Sequence, residues 1–200
     1  MNLSAVNKIG YGLYILTANY DGVDNGCIIN SVCQVALSPD RIIVSVSTSG
    51  YTCELIQKSR KLNLSILNEE TPFEVFKHFG FVSGREKNKF EKVDNVFRSK
   101  NGLFVVPKYA NSFISAEVTD VIDMGTHKLF VATVTQQEIL DDTTSITYDY
   151  YHKNTKPKPQ ESKKEGYRCE ICGYIYEGDD IPQDFICPIC KHGVSDFTKI

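Results

Sequence analysis

The chain has 200 residues, of which 42% are hydrophobic and 24% are charged, a composition typical of a folded globular protein and not of a disordered chain. The 22 Lys+Arg against 25 Asp+Glu leave a formal net charge of -3, which favours neither nucleic acid nor an anionic membrane as a partner. No apolar run approaches the roughly 18 residues that span a bilayer, and the N-terminus does not have the pattern of a secretory signal. We therefore expect a cytoplasmic protein with no nucleic-acid and no membrane partner.

Strand patterns dominate residues 1–151. The seven segments that favour strands are GLYILTA, GCIINSV, RIIVSVS, LNLSIL, FISAEVTDVI, HKLFVATVTQQEIL and SITYDYY. In RIIVSVS, Ile42, Val44 and Val46 fall on one face, which is the period of a half-buried antiparallel strand. Because the strands do not alternate regularly with helices, they predict a mainly β fold built as a closed or nearly closed barrel.

Two segments of the same unit favour helices. The first is YTCELIQKS, which follows a turn at Gly50. The second is TPFEVFKHF, where Thr71 is the expected N-cap and Pro72 the expected first helical residue.

Residues 152–166 have the composition of a linker. They read HKNTKPKPQESKKEG, with five lysines, two prolines and no aliphatic residue. Such a segment cannot bury a core, and its prolines and like charges favour extended backbone. The chain is therefore predicted to consist of a larger domain at 1–151, a linker at 152–166 and a small domain at 167–200.

The seven cysteines fall into two groups. Cys27, Cys33 and Cys53 are scattered through the larger domain and are expected to be small buried apolar residues. The other four form two C-x-x-C units separated by 14 residues, and they are Cys169, Cys172, Cys187 and Cys190. This spacing predicts one tetrahedral metal site, and thiolate ligands suit zinc as well as iron. A domain of this size depends on its metal for folding.

The sequence around these cysteines resembles the rubredoxin family. The matching features are CGYIY at the first knuckle, CPIC at the second, and the aromatic residues Tyr167, Tyr174, Phe185 and Phe197. The resemblance implies one iron (Fe) held by four cysteines that accepts or releases one electron. Two features depart from the family pattern: the loop between the knuckles is short, and Lys191 stands where the second knuckle usually has glycine.

The larger domain resembles the flavin reductase-like family, whose members are FMN-binding split β-barrels. The resemblance lies in three stretches, which are NGCIINSVCQVALSPDRIIVSVSTSGYTCELI, FVSGREKNKF and GTHKLFVATV. It implies a mainly β split barrel with a few helices, bound FMN and a homodimer. The residues that it implies for FMN are Asn25, Asn30, Ser31, Val32, Cys33, Gln34, Ser47, Thr48, Tyr51, Thr52, Ser83, Gly84, Arg85 and Lys89.

Several of these residues also have purely structural interpretations. Ser47 and Thr52 could end a strand and begin a helix, and Arg85 and Lys89 could be solvated charges. The resemblance places His127 near the flavin, where it would guide nicotinamide as the catalytic residue. The chain has no dinucleotide fingerprint, since Ile15 replaces the third glycine of the motif in GYGLYI. This does not exclude nicotinamide, because the resemblance implies that NAD(P)H stacks transiently on the flavin as a substrate.

Together the two domains predict an NAD(P)H-dependent flavin and rubredoxin oxidoreductase. Hydride from NAD(P)H would reach FMN, and single electrons would pass to iron and then to an acceptor. The architecture resembles flavin reductase-rubredoxin fusions, and this resemblance implies that the acceptor is a redox protein such as a flavodiiron oxygen or nitric oxide reductase. One alternative is a flavin reductase that supplies reduced FMN and carries a zinc-bound docking tail. The other is a non-enzymatic split barrel with a zinc ribbon that binds protein or nucleic acid.

Overall fold

The computed structural model describes residues 8–157, 166–190 and 192–200. Within the first range, a seven-stranded antiparallel sheet has the order β2-β1-β5-β8-β9-β4-β3. The strands of this range are β1 (Tyr14–Tyr20), β2 (Val23–Ile29), β3 (Val32–Leu37), β4 (Asp40–Ser47), β5 (Lys61–Leu67), β6 (Phe97–Arg98), β7 (Phe104–Val105), β8 (Ala110–Asp123) and β9 (His127–Ile139). Strands β6 and β7 form a separate short hairpin, which the sequence analysis did not predict.

The apolar face of the sheet encloses the main core. In β4 the alternation is as predicted, with Ile42, Val44 and Val46 buried between half-buried neighbours. The same cluster includes Phe130 of β9 and Leu64 of β5. Because side chains alternate across a strand, β4 contributes every second residue to this interior, whereas β1 and β5 bury residues on both faces. The fold is mainly β, as predicted.

The first predicted helix is confirmed as α1 (Tyr51–Ser59). It begins after Gly50 and ends at Arg60, whose left-handed conformation (φ 58°) lets its amide donate to the Ile56 carbonyl. Its apolar face packs into the same core as the sheet. Helix α1 therefore directly follows the end of β4, where several predicted site residues lie.

The second predicted helix begins one residue later than expected. Helix α2 (Phe73–Phe76) continues as a π-helical turn at Lys77–Phe81. Pro72 has extended backbone (ψ 154°) and is itself the N-cap, so it is not the first helical residue. Thr71 does not cap the helix, because its hydroxyl donates to the Asn68 carbonyl at 2.7 Å.

Two strand predictions need correction. The segment GCIINSV is not one strand, because it is divided between the end of β2 and the start of β3. The segment SITYDYY forms only isolated bridges and then helix α3 (Tyr148–Tyr150), followed by a π-helical turn at Tyr151–Thr155. The Thr147 hydroxyl accepts a hydrogen bond from the Tyr150 amide, and this cap starts the helix. The predicted linker begins inside this turn, and its residues 158–165 lie outside the described residues.

The C-terminal residues form a small three-stranded sheet of the order β11-β10-β12. Its strands are β10 (Tyr167–Cys169), β11 (Ile175–Tyr176) and β12 (Phe197–Lys199). Phe185 packs against Tyr176 and Phe197, with ring centroids 4.8 and 5.5 Å apart. Among the described residues of the small domain, the buried hydrophobic side chains are those of Cys169 and Cys187, so little burial holds the domain together without a metal.

Candidate active site and metal centre

The four clustered cysteines come together in the small domain. The sulfur atoms of Cys169, Cys172, Cys187 and Cys190 all lie within 4.8 Å of one another. The Cys169–Cys190 and Cys172–Cys187 sulfur separations are both 3.5 Å. Four thiolates bound about 2.3 Å from one metal ion would lie roughly 3.8 Å apart in a tetrahedron. The donor set and its spacing therefore fit one tetrahedral metal ion.

Backbone hydrogen bonds shape the two metal knuckles. In the first, the Cys169 amide donates to the Tyr174 carbonyl and the Gly173 amide donates to the Cys169 carbonyl, both at 2.8 Å. Gly173 has a φ of +80°, a conformation that L side chains rarely adopt. In the second, the Cys187 amide donates to the His192 carbonyl at 2.8 Å. Lys191, which stands where the second knuckle usually has glycine, lies outside the described residues.

The electrostatics of the sulfur atoms favour a bound cation. Burial raises the pKa of the Cys172 thiol, although the Tyr174 amide that donates to its sulfur lowers it. Burial also raises the pKa of Cys190. Burial opposes ionisation of Cys187 too, but the Cys190 and Ile189 amides that donate to its sulfur hold its pKa below the ordinary value. Four thiolates this close together, two of them buried and two half-buried, are stabilised when a metal ion neutralises their charge.

In the larger domain, hydroxyl groups gather where β4 ends and β9 begins. Ser47 pairs with His127 across these strands. The Thr48 amide and hydroxyl both donate to the Thr126 carbonyl at 3.0 Å, and the Thr126 hydroxyl hydrogen-bonds His127 Nδ1 at 3.0 Å. The Ser47 and Ser49 hydroxyls hydrogen-bond each other at 2.9 Å. The sequence did not single out Ser49 or Thr126. The run of hydroxyl residues S-T-S at the end of β4 could have indicated Ser49.

Helix α1 directs its N-terminus towards this hydroxyl cluster. Its N-cap, Gly50, provides no side chain, and within the described part of the chain no side chain caps the helix. The Arg85 guanidinium lies 4.8 Å from the centre of the Tyr51 ring and 3.0 Å from the Glu54 carboxylate. Unpaired amides at a helix N-terminus, hydroxyls and a guanidinium are the groups that bind a phosphate. This donor set fits the phosphate end of a flavin nucleotide.

The start of β3 borders the same region. Asn30 and Ser31 lie between β2 and β3, and the Ser31 hydroxyl donates to Asn30 Oδ1 at 2.9 Å. The Ser31 carbonyl accepts from the Ser45 amide at 3.0 Å, and Val32 pairs with Val44 of β4. The polar groups of this segment are half-buried, which suits hydrogen bonds to the edge of a flat ring system.

The residues that follow in β3 face outward. Gln34 is exposed and donates to Asp40 at 2.8 Å, which occupies part of its hydrogen-bonding capacity. Cys33 is exposed, so the expectation that it is a buried apolar residue is wrong. Cys53 is fully buried, as expected, and Cys27 is half-buried. The error at Cys33 arises because β3 is an edge strand with one face open.

Some of the residues implied for FMN have buried side chains. Asn25 Nδ2 donates to the Thr52 hydroxyl at 3.0 Å, and both residues are buried. Asn25 Oδ1 is buried without a hydrogen-bond partner among the described residues. Gly84 lies directly against it, because a Cβ at position 84 would meet Asn25 Oδ1 at 2.1 Å. The Ser83 hydroxyl accepts from the Arg85 amide at 3.3 Å, which shapes this loop.

Lys89 is also buried, with only 4% of its surface exposed. Its ammonium group donates to the Gly26 and Phe79 carbonyls, both at 2.8 Å. Burial lowers the pKa of Lys89, while the neighbouring Cys27 raises it. The structure therefore places this charge in the interior, where it joins β2 to the π-helical turn, and does not present it to the hydroxyl cluster.

Comparisons with known proteins agree with both halves of the structure. Residues 6–157 match the family model described as flavin reductase like domain, and residues 167–198 match the model described as rubrerythrin, rubredoxin-like domain. The chain thus belongs to the flavin reductase-like family and carries a C-terminal rubredoxin-like domain. Across the full length of both chains, it is 33% identical to the high molecular weight rubredoxin of Moorella thermoacetica.

Two further relatives resemble the larger domain. The ferric-chelate reductase (NAD(P)H) of Archaeoglobus fulgidus is 37% identical over 79% of this chain and 93% of its own. The NADH:FAD oxidoreductase SgcE6 of Streptomyces globisporus has the same fold, with a TM-score of 0.63 at 17% identity over 71% of this chain and 83% of its own. These relationships indicate an oxidoreductase with a flavin, and the four-cysteine rubredoxin-like domain implies iron. Among the described residues, no helix combines the length and apolar character needed to cross a membrane.

Proposed function

We propose that the protein takes hydride from NAD(P)H onto FMN and passes single electrons to a four-cysteine iron centre and then to a redox protein. A bound flavin accepts two electrons at once and can release them singly, whereas a four-thiolate iron centre carries one at a time. The observation that carries this proposal is the presence in one chain of a flavin reductase-like domain and a four-sulfur cluster. The full-length similarity to a high molecular weight rubredoxin supports the same combination.

In this proposal the N-terminus of α1 holds the phosphate of FMN. The hydroxyls of Ser47 and Thr48 and the guanidinium of Arg85 surround it, and the helix dipole favours the negative charge. Asn30 and Ser31 hydrogen-bond the edge of the ring system.

His127 is the residue proposed to guide nicotinamide. It is exposed at the start of β9, next to Ser47. The Thr126 hydroxyl engages Nδ1 and orients the ring, so that Nε2 is the ring nitrogen proposed to meet the substrate. The name of the Archaeoglobus relative supports NAD(P)H as the electron donor.

Electrons are proposed to leave through the second knuckle. Ile186 and Ile189 are 54% and 42% exposed, and they directly precede the ligands Cys187 and Cys190. An apolar surface next to a redox centre suits a transient protein partner, because it brings the two centres close without a strong charge requirement. A flavodiiron protein is the proposed acceptor.

A second copy of the chain is proposed to cover the apolar edge of the larger domain. Val35 and Leu37 of edge strand β3 are 51% and 79% exposed, and Ile139 at the end of β9 is 81% exposed. Exposed apolar side chains on an edge strand favour association. We therefore propose a homodimer. We also propose a cytoplasmic location.

An anaerobic titration with NADH, followed by visible absorption, tests this function. We expect overlapping flavin and ferric-thiolate bands in the purified protein, both of which bleach after about 1.5 equivalents of NADH per chain, since flavin takes two electrons and iron one. The matched control is Cys172→Ser, which should keep the flavin band and lose the ferric-thiolate band. A colourless small domain that contains zinc, or a ferric band that NADH does not bleach, would contradict the proposal.

A further inference from the structure

Lys156 connects the larger domain to the first metal knuckle. It follows the π-helical turn at Tyr151–Thr155, and its ammonium group donates to the Glu170 carbonyl at 2.8 Å. Glu170 comes directly after the ligand Cys169 and is part of the C-x-x-C turn. A cation at the start of the predicted linker, directly after the last helical turn of the larger domain, therefore contacts the metal-binding loop of the small domain.

The backbone of Lys156 is anchored to the core of the larger domain. Its amide donates to the Tyr151 carbonyl at 2.8 Å, which closes the π-helical turn. Tyr151 is 7% exposed and packs against Phe76, with ring centroids 4.6 Å apart. Burial raises the pKa of the Tyr151 phenol to about 12. The backbone amide of Lys156 is therefore held by the buried residue Tyr151, and its ammonium group is held by the first knuckle.

The other polar groups of Glu170 have partners within the small domain. Its amide donates to the Asp196 carbonyl at 2.8 Å, and its carboxylate accepts from Arg168 at 3.2 Å. Burial lowers the pKa of Lys156, whereas Glu170, Cys172 and Cys169 raise it. The ammonium group is thus partly removed from water and within electrostatic range of two metal ligands.

We propose that Lys156 is a positioning residue that holds the first knuckle against the larger domain and raises the reduction potential of the bound iron. This inference rests on the iron centre of the proposed function. When one electron from a reductant converts ferric to ferrous iron, the four-thiolate centre gains one negative charge. A nearby cation stabilises the more negative state, so its removal should lower the potential.

An optical redox titration of the full-length protein with dithionite and mediator dyes tests the proposal. The test variant is Lys156→Met, which keeps the apolar stem and removes the charge. Lys156→Arg keeps the charge, and Lys153→Met removes a charge from an exposed lysine of the same turn that is paired with Asp149 at 2.6 Å. We expect a more negative iron potential in Lys156→Met and values close to wild type in the other two variants.

The inference and the proposed function can fail separately, because dithionite reduces the iron directly and the titration does not depend on electron transfer from NADH through flavin. A ferric-thiolate band of normal intensity will show that the knuckles of each variant are formed. An unchanged potential in Lys156→Met, or an equal shift in Lys153→Met, would overturn the inference, as would a wild-type protein that binds no iron. If Lys156→Met shifts the potential while NADH fails to reduce iron, the inference stands and the proposed function fails.

Discussion

Replacement of Lys89 by methionine tests whether the buried ammonium group is structural. Lys89→Met keeps the length of the side chain but leaves the Gly26 and Phe79 carbonyls, each 2.8 Å from Nζ in the wild type, without their donor. Hydrogen bonds to a charged group contribute about 1.5–3 kcal/mol each, and part of this is offset because the variant no longer desolvates an ammonium ion. We expect a net loss of about 2–4 kcal/mol in the free energy of unfolding.

Urea unfolding followed by far-ultraviolet circular dichroism measures this loss. Lys87→Met is the matched control, because Lys87 is exposed and two residues away. The control should change the free energy of unfolding by less than about 0.5 kcal/mol. If Lys89→Met is no less stable than Lys87→Met and instead binds FMN more weakly, Lys89 serves the cofactor and the structural interpretation is wrong.

The pH dependence of stability gives an independent check on Lys89. Burial lowers its pKa in the folded protein below the ordinary lysine value of 10.5. At pH values between the pKa of Lys89 in the folded protein and its pKa in the unfolded chain, the unfolded chain binds more protons. The free energy of unfolding of the wild type therefore rises with pH in this range. The stability difference between wild type and Lys89→Met should therefore grow as the pH rises towards 10.5. A difference that is constant or shrinks would refute the burial of this charge.

Four further substitutions have definite expected outcomes. Gly84→Ala places a Cβ 2.1 Å from Asn25 Oδ1, so urea unfolding should show a loss of about 1–3 kcal/mol. Arg85→Gln removes the cation next to Tyr51, and fluorescence titration should show FMN affinity reduced about tenfold, with urea stability unchanged. Ile189→Lys should slow reoxidation by a purified flavodiiron protein in stopped-flow absorption, without slowing reduction by NADH. Leu37→Asp should increase the monomer fraction in sedimentation equilibrium, because it charges an exposed edge strand.

The features that depend on local pattern were predictable from the sequence. The alternation of Ile42, Val44 and Val46 follows from the two-residue period of a strand, and it is present in β4. Helix α1 has the bounds predicted from YTCELIQKS. The spacing of Cys169 and Cys172 was sufficient to predict a metal knuckle, because a C-x-x-C turn is itself a local structure.

The features that the sequence did not reveal depend on distant parts of the chain. Lys89 lies in a polar stretch, and only the carbonyls of Gly26 and Phe79, which other segments bring to it, make its burial possible. The segment SITYDYY has strand composition, but the hydroxyl of Thr147 caps a helix there. The contact between Lys156 and Glu170 joins two domains, and no pattern within either segment indicates it.

The measurement that tests the central claim most directly is anaerobic stopped-flow absorption after mixing with NADH. Protein that contains both flavin and iron is compared with the same protein from which only the flavin has been removed. We predict that the flavin band bleaches first, that the ferric-thiolate band follows at a rate independent of protein concentration, and that flavin-free protein keeps its ferric band until FMN is restored. A ferric band that bleaches equally fast without flavin, or that persists while flavin is fully reduced, would contradict electron transfer from NADH through flavin to iron.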